Sequence, residues 1–159
     1  MILSIQKMTK KCAEEILQWR YEPPYDFYNN ECTEEALHEM LDNPYLVVVS
    51  NGEVIGFFCL GQAAQVPAGD RVNAYKEAWC DIGLGMKPDI TGSGRGTEFF
   101  SFVLKYVEEE YESTPVRLTV ATFNKRAIHL YSKMGFEKGV EFQHNSVSFM
   151  TMVKKVGEN

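Results

Sequence analysis

Residues 81–97 read Asp-Ile-Gly-Leu-Gly-Met-Lys-Pro-Asp-Ile-Thr-Gly-Ser-Gly-Arg-Gly-Thr, and they constrain the fold more than any other stretch. A strand runs into a glycine-rich turn, and the turn opens directly into an apolar-periodic segment, Phe99 to Tyr111. Gly92, Gly94 and Gly96 let the chain take positive φ and leave no Cβ between backbone and ligand. A turn of this kind sets backbone N–H groups at the positive end of a helix, where they hold a phosphate. Arg95 adds a cation at the same spot. The first expectation is a pyrophosphate-bearing cofactor.

Two phosphate motifs fit poorly. The nucleotide P-loop needs Lys and then Ser or Thr after its last glycine, whereas Gly96 is followed by Thr97-Glu98. The dinucleotide fingerprint needs G-x-G-x-x-G early in a βαβ unit with an acidic residue on a following strand. Here the spacing is G-x-G-x-G, the turn lies past mid-chain, and the next strand, Val116 to Ala121, carries no acid.

The chain is expected to be a single domain, residues 1–159, with one substantial core. A net charge of −6 argues against nucleic-acid binding, which wants a basic face. It suits a cationic small molecule or peptide as partner. Cys12, Cys32, Cys59 and Cys80 form no C-x-x-C pair and read as reduced thiols, which points to the cytoplasm. Met1 to Lys7 has neither a basic flank nor a long apolar run and reads as a first strand, not a signal peptide. No segment approaches the apolar length that crosses a bilayer, so no membrane association is expected.

The order of elements follows from periodicity. Ile2 to Met8 alternates as a strand, and Thr9 caps a helix with Cys12, Ile16 and Trp19 on one face. Glu22 to Asn30 breaks that helix, and Thr33 caps a second one with Glu34 and Glu35 in its first turn. Asn51-Gly52 joins two apolar runs, Tyr45 to Ser50 and Glu53 to Gly61, a strong type I′ hairpin signal. A polar loop leads to the strand that ends near Pro88, and a helix runs from Gly94 to about Tyr111. Val116 to Ala121 is a strand, Asn124 to Met134 a helix stopped by Gly135, and Phe136 to Phe142 with Ser146 to Val153 a closing hairpin. The fold class is α+β, ordered β-α-α-β-β-β-α-β-α-β-β, with a parallel contact across the strand–helix–strand pass from Asp81 to Ala121.

This order resembles that of the GNAT superfamily of N-acetyltransferases, over essentially the whole chain. Two motifs carry the resemblance. The acetyl-CoA turn, Arg or Gln then x-x-Gly-x-Gly or Ala, is matched by Thr91-Gly92-Ser93-Gly94-Arg95-Gly96, with Thr91 departing from Arg or Gln. The pattern Asn-x-x-Ala-x-x-x-Tyr-x-x-x-Gly-Phe is matched by Asn124, Ala127, Tyr131, Gly135 and Phe136 in register.

The resemblance implies a mixed, mostly antiparallel sheet whose fourth and fifth strands splay, with pantetheine in the gap. Leu84, Gly85 and Met86 would line it, and Thr91, Gly92, Ser93, Gly94, Arg95, Gly96 and Thr97 would hold the pyrophosphate of acetyl-CoA. Gly83 and Gly85 would keep the wall beside the thioester low, a tight sheet contact being the other reading of those glycines. Asn124 would contact the cofactor as well as cap its helix. Acetyl transfer by direct attack in a ternary complex needs a neutral amine, a hydrogen bond to the carbonyl oxygen and a proton for the thiolate. Tyr131 is the implied proton donor to sulfur, since a phenol with a pKa of about 10 is protonated at neutral pH. Asp81 is the first candidate base, with Glu77 and Asp26 as rivals.

Trp19, Tyr25 and Tyr28 are the candidate acceptor-binding residues, in a segment where rings alternate with Glu22 and Asp26. That mixture suits a cationic amine, although plain packing of a lid is an equal reading. The acceptor is expected to be a small-molecule amine or a peptide N-terminus, and the protein a monomer or homodimer. His38, His129 and His144 have no metal-ligand spacing, so no metal is expected. A non-catalytic acyl-CoA-binding module on the same fold is the competing reading.

Overall fold

The computed structural model describes residues 2–91 and 94–156. The chain divides into two compact units, Met1–Cys59 with Leu84–Phe99, and Leu60–Gly83 with Phe100–Asn159. The element order is the one the periodicity predicts. One seven-stranded mixed sheet has the order β1-β2-β3-β4-β5-β7-β6, with the helices flanking it.

In the first unit β1 (Leu3–Lys7), β2 (Tyr45–Ser50) and β3 (Glu53–Leu60) pair antiparallel. Asn51 and Gly52 both take positive φ, 51° and 78°, as a type I′ turn requires. The register of β2 against β3 shifts between Val48 and Val49, so that Val48 faces Gly56 and Val49 faces Val54. Ile55 is thereby the extra residue of a bulge. Helices α1 (Lys10–Leu17) and α2 (Glu34–Asp42) begin where Thr9 and Thr33 accept the N–H groups of Cys12 and Ala36 at 3.2 and 3.1 Å. Their apolar faces supply Ala13, Ile16, Leu17, Leu37 and Met40 to a core shared with Trp19, Val47, Val49 and Val54.

In the second unit the first half of β4 (Cys80–Met86) pairs in parallel with β5 (Val116–Ala121) at three positions, Cys80↔Val116, Asp81↔Arg117 and Ile82↔Leu118. Past the last of these pairs β4 runs on to Met86 and β5 to Ala121. β5 pairs antiparallel with β7 (Val147–Lys154), and β7 with the edge strand β6 (Glu137–His144). The β6–β7 register shifts between Lys138 and Glu141, where the Val140 N–H donates to Thr151 Oγ1 at 2.9 Å. A Cβ on Gly139 would collide with that same oxygen, so the bulge requires glycine there.

Helix α3 (Arg95–Glu110) starts one residue later than predicted, and α4 (Lys125–Lys133) lies between Asn124 and Met134 as its caps. Gly135, at φ 97°, ends α4 in the left-handed region. Among the described residues no helix is long and apolar enough to cross a membrane.

Candidate active site

Apart from Asn124, the expected cofactor residues that the structure describes stand in the first unit, as a strand end, a turn and a helix start. β4 ends at Met86, a 3₁₀ turn spans Pro88–Ile90, and α3 begins at Arg95. Gly92 and Ser93 lie outside the described residues. Gly94 has φ 81° and no atom within 4 Å of where a Cβ would stand. The backbone there is open on the side a ligand would approach, and the chain enters α3 directly from it. Arg95 is exposed, and Gly96 and Thr97 are half-buried in the first turn of the helix. These residues fit a pyrophosphate: an unobstructed left-handed glycine, the start of a helix with its N–H groups, and a guanidinium.

Four details of this unit bear on the groups it presents. Thr91, one of the residues expected to hold the pyrophosphate, gives its hydroxyl proton to the Pro88 carbonyl at 2.7 Å. A hydroxyl has one proton, so Thr91 can only accept from a ligand in this arrangement. Lys87, just before the turn, is paired with Glu53 at 3.4 Å and with Asp89 at 3.8 Å.

At Gly85 the space a Cβ would need is filled by the Phe57 ring, so this glycine serves a close strand-to-strand contact. The Met86 carbonyl accepts the Tyr21 hydroxyl at 2.6 Å, which leaves it one further lone pair. That bond ties the segment after α1 to the end of β4, and burial pushes the Tyr21 phenol up to about 12.

The candidate acceptor residues lie in the same unit. Trp19 is 8% exposed, part of the core, with its ring 6.3 Å from Phe57. Tyr25 and Tyr28 belong to a 3₁₀ turn, Tyr25–Tyr28, and are half-buried, while Glu22 and Asp26 are exposed beside them. Phe27, 45% exposed, packs edge-on against Tyr28 at 5.1 Å. A groove of about 520 Å³ is lined by Glu15 and Trp19 of the first-helix region, Glu53 and Lys87 among others.

The second unit holds Asp81, Asn124 and Tyr131. The Asn124 side chain accepts the Ala127 N–H at 3.1 Å, so it caps α4. Tyr131, on α4, is half-buried, with its ring 5.0 Å from Phe100 and 6.2 Å from Phe136. Asp81 is 3% exposed. Its Oδ1 accepts Arg117 Nε at 2.6 Å, and its Oδ2 accepts Arg117 Nη2 and Gln65 Nε2, both at 2.9 Å.

The Arg117 guanidinium is held above its ordinary pKa, first by its hydrogen bond to the Asp81 carboxylate. Burial pushes the neighbouring Cys80 thiol up to about 11, with the Asp81 charge adding to it. Arg117, Gln65 and Tyr21 do not stand out in sequence, because their partners are 16 to 65 residues away. The one local sign was a single Arg within the apolar strand Val-Arg-Leu-Thr-Val-Ala. Among the described residues there is no group of His, Cys, Asp and Glu that could hold a metal ion.

Comparison with known proteins follows the same lines. A family model described as Acetyltransferase (GNAT) family matches residues 13–136. No curated protein matches the chain. Among solved structures, a spermidine N-acetyltransferase SpeG chimera from Vibrio cholerae and hSSAT superposes with a TM-score of 0.70 at 18% identity, covering 96% of this chain and 95% of that one. AAC(6')-Ib in complex with ribostamycin and coenzyme A gives 0.74 at 17%, covering 97% and 93%. An acetyltransferase of the GNAT family from Streptococcus pneumoniae gives 0.63 at 18%, covering 98% and 100%. At these identities the superpositions establish the shared fold.

Proposed function

The chain belongs to the GNAT acetyltransferase family, and from that premise we propose that it moves the acetyl group of acetyl-CoA to a primary amine by direct attack in a ternary complex. The observation that carries this reading is the strand end, left-handed Gly94 and helix start at Arg95, an arrangement suited to a diphosphate. The acetyl thioester supplies the electrophilic carbonyl.

The N–H groups of residues 94–97 and the Arg95 guanidinium neutralise the diphosphate, and backbone groups of Leu84, Gly85 and Met86 hold the pantetheine arm. As the carbon–sulfur bond breaks, the Tyr131 phenol gives its proton to the departing thiolate, and the proton shed by the attacking nitrogen restores the phenol by way of solvent. Asn124 orients the start of the helix that carries Tyr131. Asp81 is offered by sequence as the proton acceptor, but in this reading it serves as the counter-ion of Arg117, since both its oxygens are engaged.

A cationic amine as acceptor is supported by the net charge of −6 and by Glu22 and Asp26, exposed beside Tyr25 and Tyr28. It also agrees with relatives of the same fold named for spermidine and crystallised with ribostamycin. The test is incubation with acetyl-CoA and a panel of polyamines, amino acids, aminoglycosides and short peptides. Free thiol is followed together with the mass of the product. Thiol release matched by an acetylated amine is the expected result. Acetyl-CoA that raises Tm with no thiol release for any amine would identify a binding module instead.

A further inference from the structure

One hydroxyl in the first unit joins two parts of the site that acetyl transfer as described treats separately. Tyr21 follows α1, and its O–H reaches the Met86 carbonyl at 2.6 Å. The Lys87 N–H belongs to the same peptide group and bonds the Ile55 carbonyl of β3 at 2.9 Å. In a trans peptide the C=O and the N–H point opposite ways, so the Met86 carbonyl faces away from β3. Tyr21 therefore meets β4 on the edge where an extended ligand arm would add to the strand.

The backbone of the same residue holds a loop. The Tyr21 N–H donates to Asn29 Oδ1 at 2.7 Å, which draws the two ends of segment 21–29 together. Inside that clasp the Tyr25 N–H bonds the Glu22 carbonyl at 2.8 Å, and the Asn29 N–H bonds the Asp26 carbonyl at 3.0 Å. The closed segment carries Tyr25 and Tyr28, with Glu22 and Asp26 exposed beside them. Just before it, Arg20 Nη1 bonds the Leu17 and Trp19 carbonyls at 3.1 and 2.8 Å, so the chain leaves α1 along a fixed path. The Tyr21 ring packs against the core of the unit.

We propose that Tyr21 passes the order that acetyl-CoA imposes on the end of β4 to segment 21–29, so that cofactor binding sets the acceptor loop. Tyr21 is a positioning residue, and the inference rests on the acetyl-transfer reading above. The Met86 oxygen has two lone pairs, and the Tyr21 hydroxyl takes one. An N–H of the cofactor arm on the other restrains the same carbonyl that holds Tyr21. The clasp at Asn29 carries that restraint through the segment, and an acceptor that meets an ordered loop loses less conformational entropy on binding.

The test uses the full chain with coenzyme A, which has the same arm and diphosphate but no acetyl group to transfer. Amide hydrogen exchange is followed by mass spectrometry in peptides covering 21–29 and 84–91. In the wild type, coenzyme A is expected to slow exchange in both. Tyr21→Phe keeps the ring in the core and removes only the hydroxyl. In it 84–91 stays protected, while the slowing of 21–29 shrinks by about 5-fold, the scale of one neutral hydrogen bond. Asn29→Ala opens the other end of the link and gives the same loss. At saturating acetyl-CoA, Tyr21→Phe raises the KM of an amine that the wild type acetylates by about 5-fold, and Tm falls by no more than about 4 °C.

Protection of 84–91 without any of 21–29 in the wild type overturns the proposal. So does undiminished protection of 21–29 in Tyr21→Phe, and so does a loss at both segments with a far lower Tm, the mark of a merely structural residue. If Tyr21→Phe does not fold, Asn29→Ala decides alone. If coenzyme A protects neither segment of the wild type, the cofactor reading fails and the coupling falls with it. If protection follows the expected pattern but no amine yields free thiol, acetyl transfer fails by itself, and the coupling stands as that of a binding module.

Discussion

Gly85→Ala should destabilise this protein through the Phe57 ring. A Cβ at residue 85 would fall inside contact distance of two ring atoms of Phe57, and its third neighbour, Cδ1, stands at 3.1 Å. The ring has little room to retreat, with Tyr45 stacked at 6.2 Å and Trp19 at 6.3 Å between centroids. Forcing one methyl group into such packing costs about 2 kcal/mol. For a chain of this length each kcal/mol lowers Tm by about 2–4 °C, so the expected drop is about 4–8 °C.

The assay is thermal and urea unfolding of Gly85→Ala, Phe57→Leu and the double variant. Leu lacks the ring atoms that collide, so in its background the cost of Gly85→Ala should shrink to less than about 0.5 kcal/mol. An equal cost in both backgrounds would refute the collision argument. A variant with wild-type Tm but a raised KM for acetyl-CoA would show that the space belongs to the cofactor, as the family resemblance implies. Gly94→Ala is the contrasting case: nothing stands near its Cβ position, so only the left-handed backbone, at φ 81°, costs about 1–2 kcal/mol.

Four further outcomes are expected. Tyr131→Phe should lower turnover about 100-fold while acetyl-CoA still raises Tm, and a wild-type rate would remove Tyr131 from proton donation. Asp81→Ala strands the buried Arg117 charge and should cost about 3–5 kcal/mol, seen as a Tm lower by roughly 10 °C. Turnover of the protein still folded at low temperature should stay within about 10-fold, and a far larger loss at unchanged Tm would restore Asp81 as the base. The exposed Cys32 should react with iodoacetamide at pH 8 well before the buried Cys80, whose thiol titrates near 11. Because the folded-state value of Cys80 is raised from 9.0, its contribution to stability is complete below pH 9 and is lost as pH climbs to about 11. A melting series over that range checks the sign.

Local signals read correctly wherever the physics was local. The Asn51-Gly52 turn, the Thr9, Thr33 and Asn124 caps and the Gly135 stop each depend on a few neighbouring residues, and each stands where the sequence places it. Trp19 and Gly85 were harder. A tryptophan beside a Pro-Pro loop looks much the same whether it meets a ligand or the core, and the Phe57 ring that packs against both residues is distant in sequence. Thr91 likewise offers a donor on paper, and only the path of the Pro88–Ile90 turn reveals that its proton is already used.

What the sequence determined by itself was the alternation of strands and helices, the place of the glycine turn between β4 and α3, and the family. Period, caps and turn residues act over one or two turns of chain, so one dimension is enough to record them. The employment of single side chains was decided by the tertiary structure. Asp81 became the partner of Arg117, with Glu77 its half-exposed second carboxylate, because parallel pairing of β4 with β5 sets residues 81 and 117 side by side. A buried guanidinium must find its counter-charges in space, and no periodicity along the chain records which carboxylates it will take.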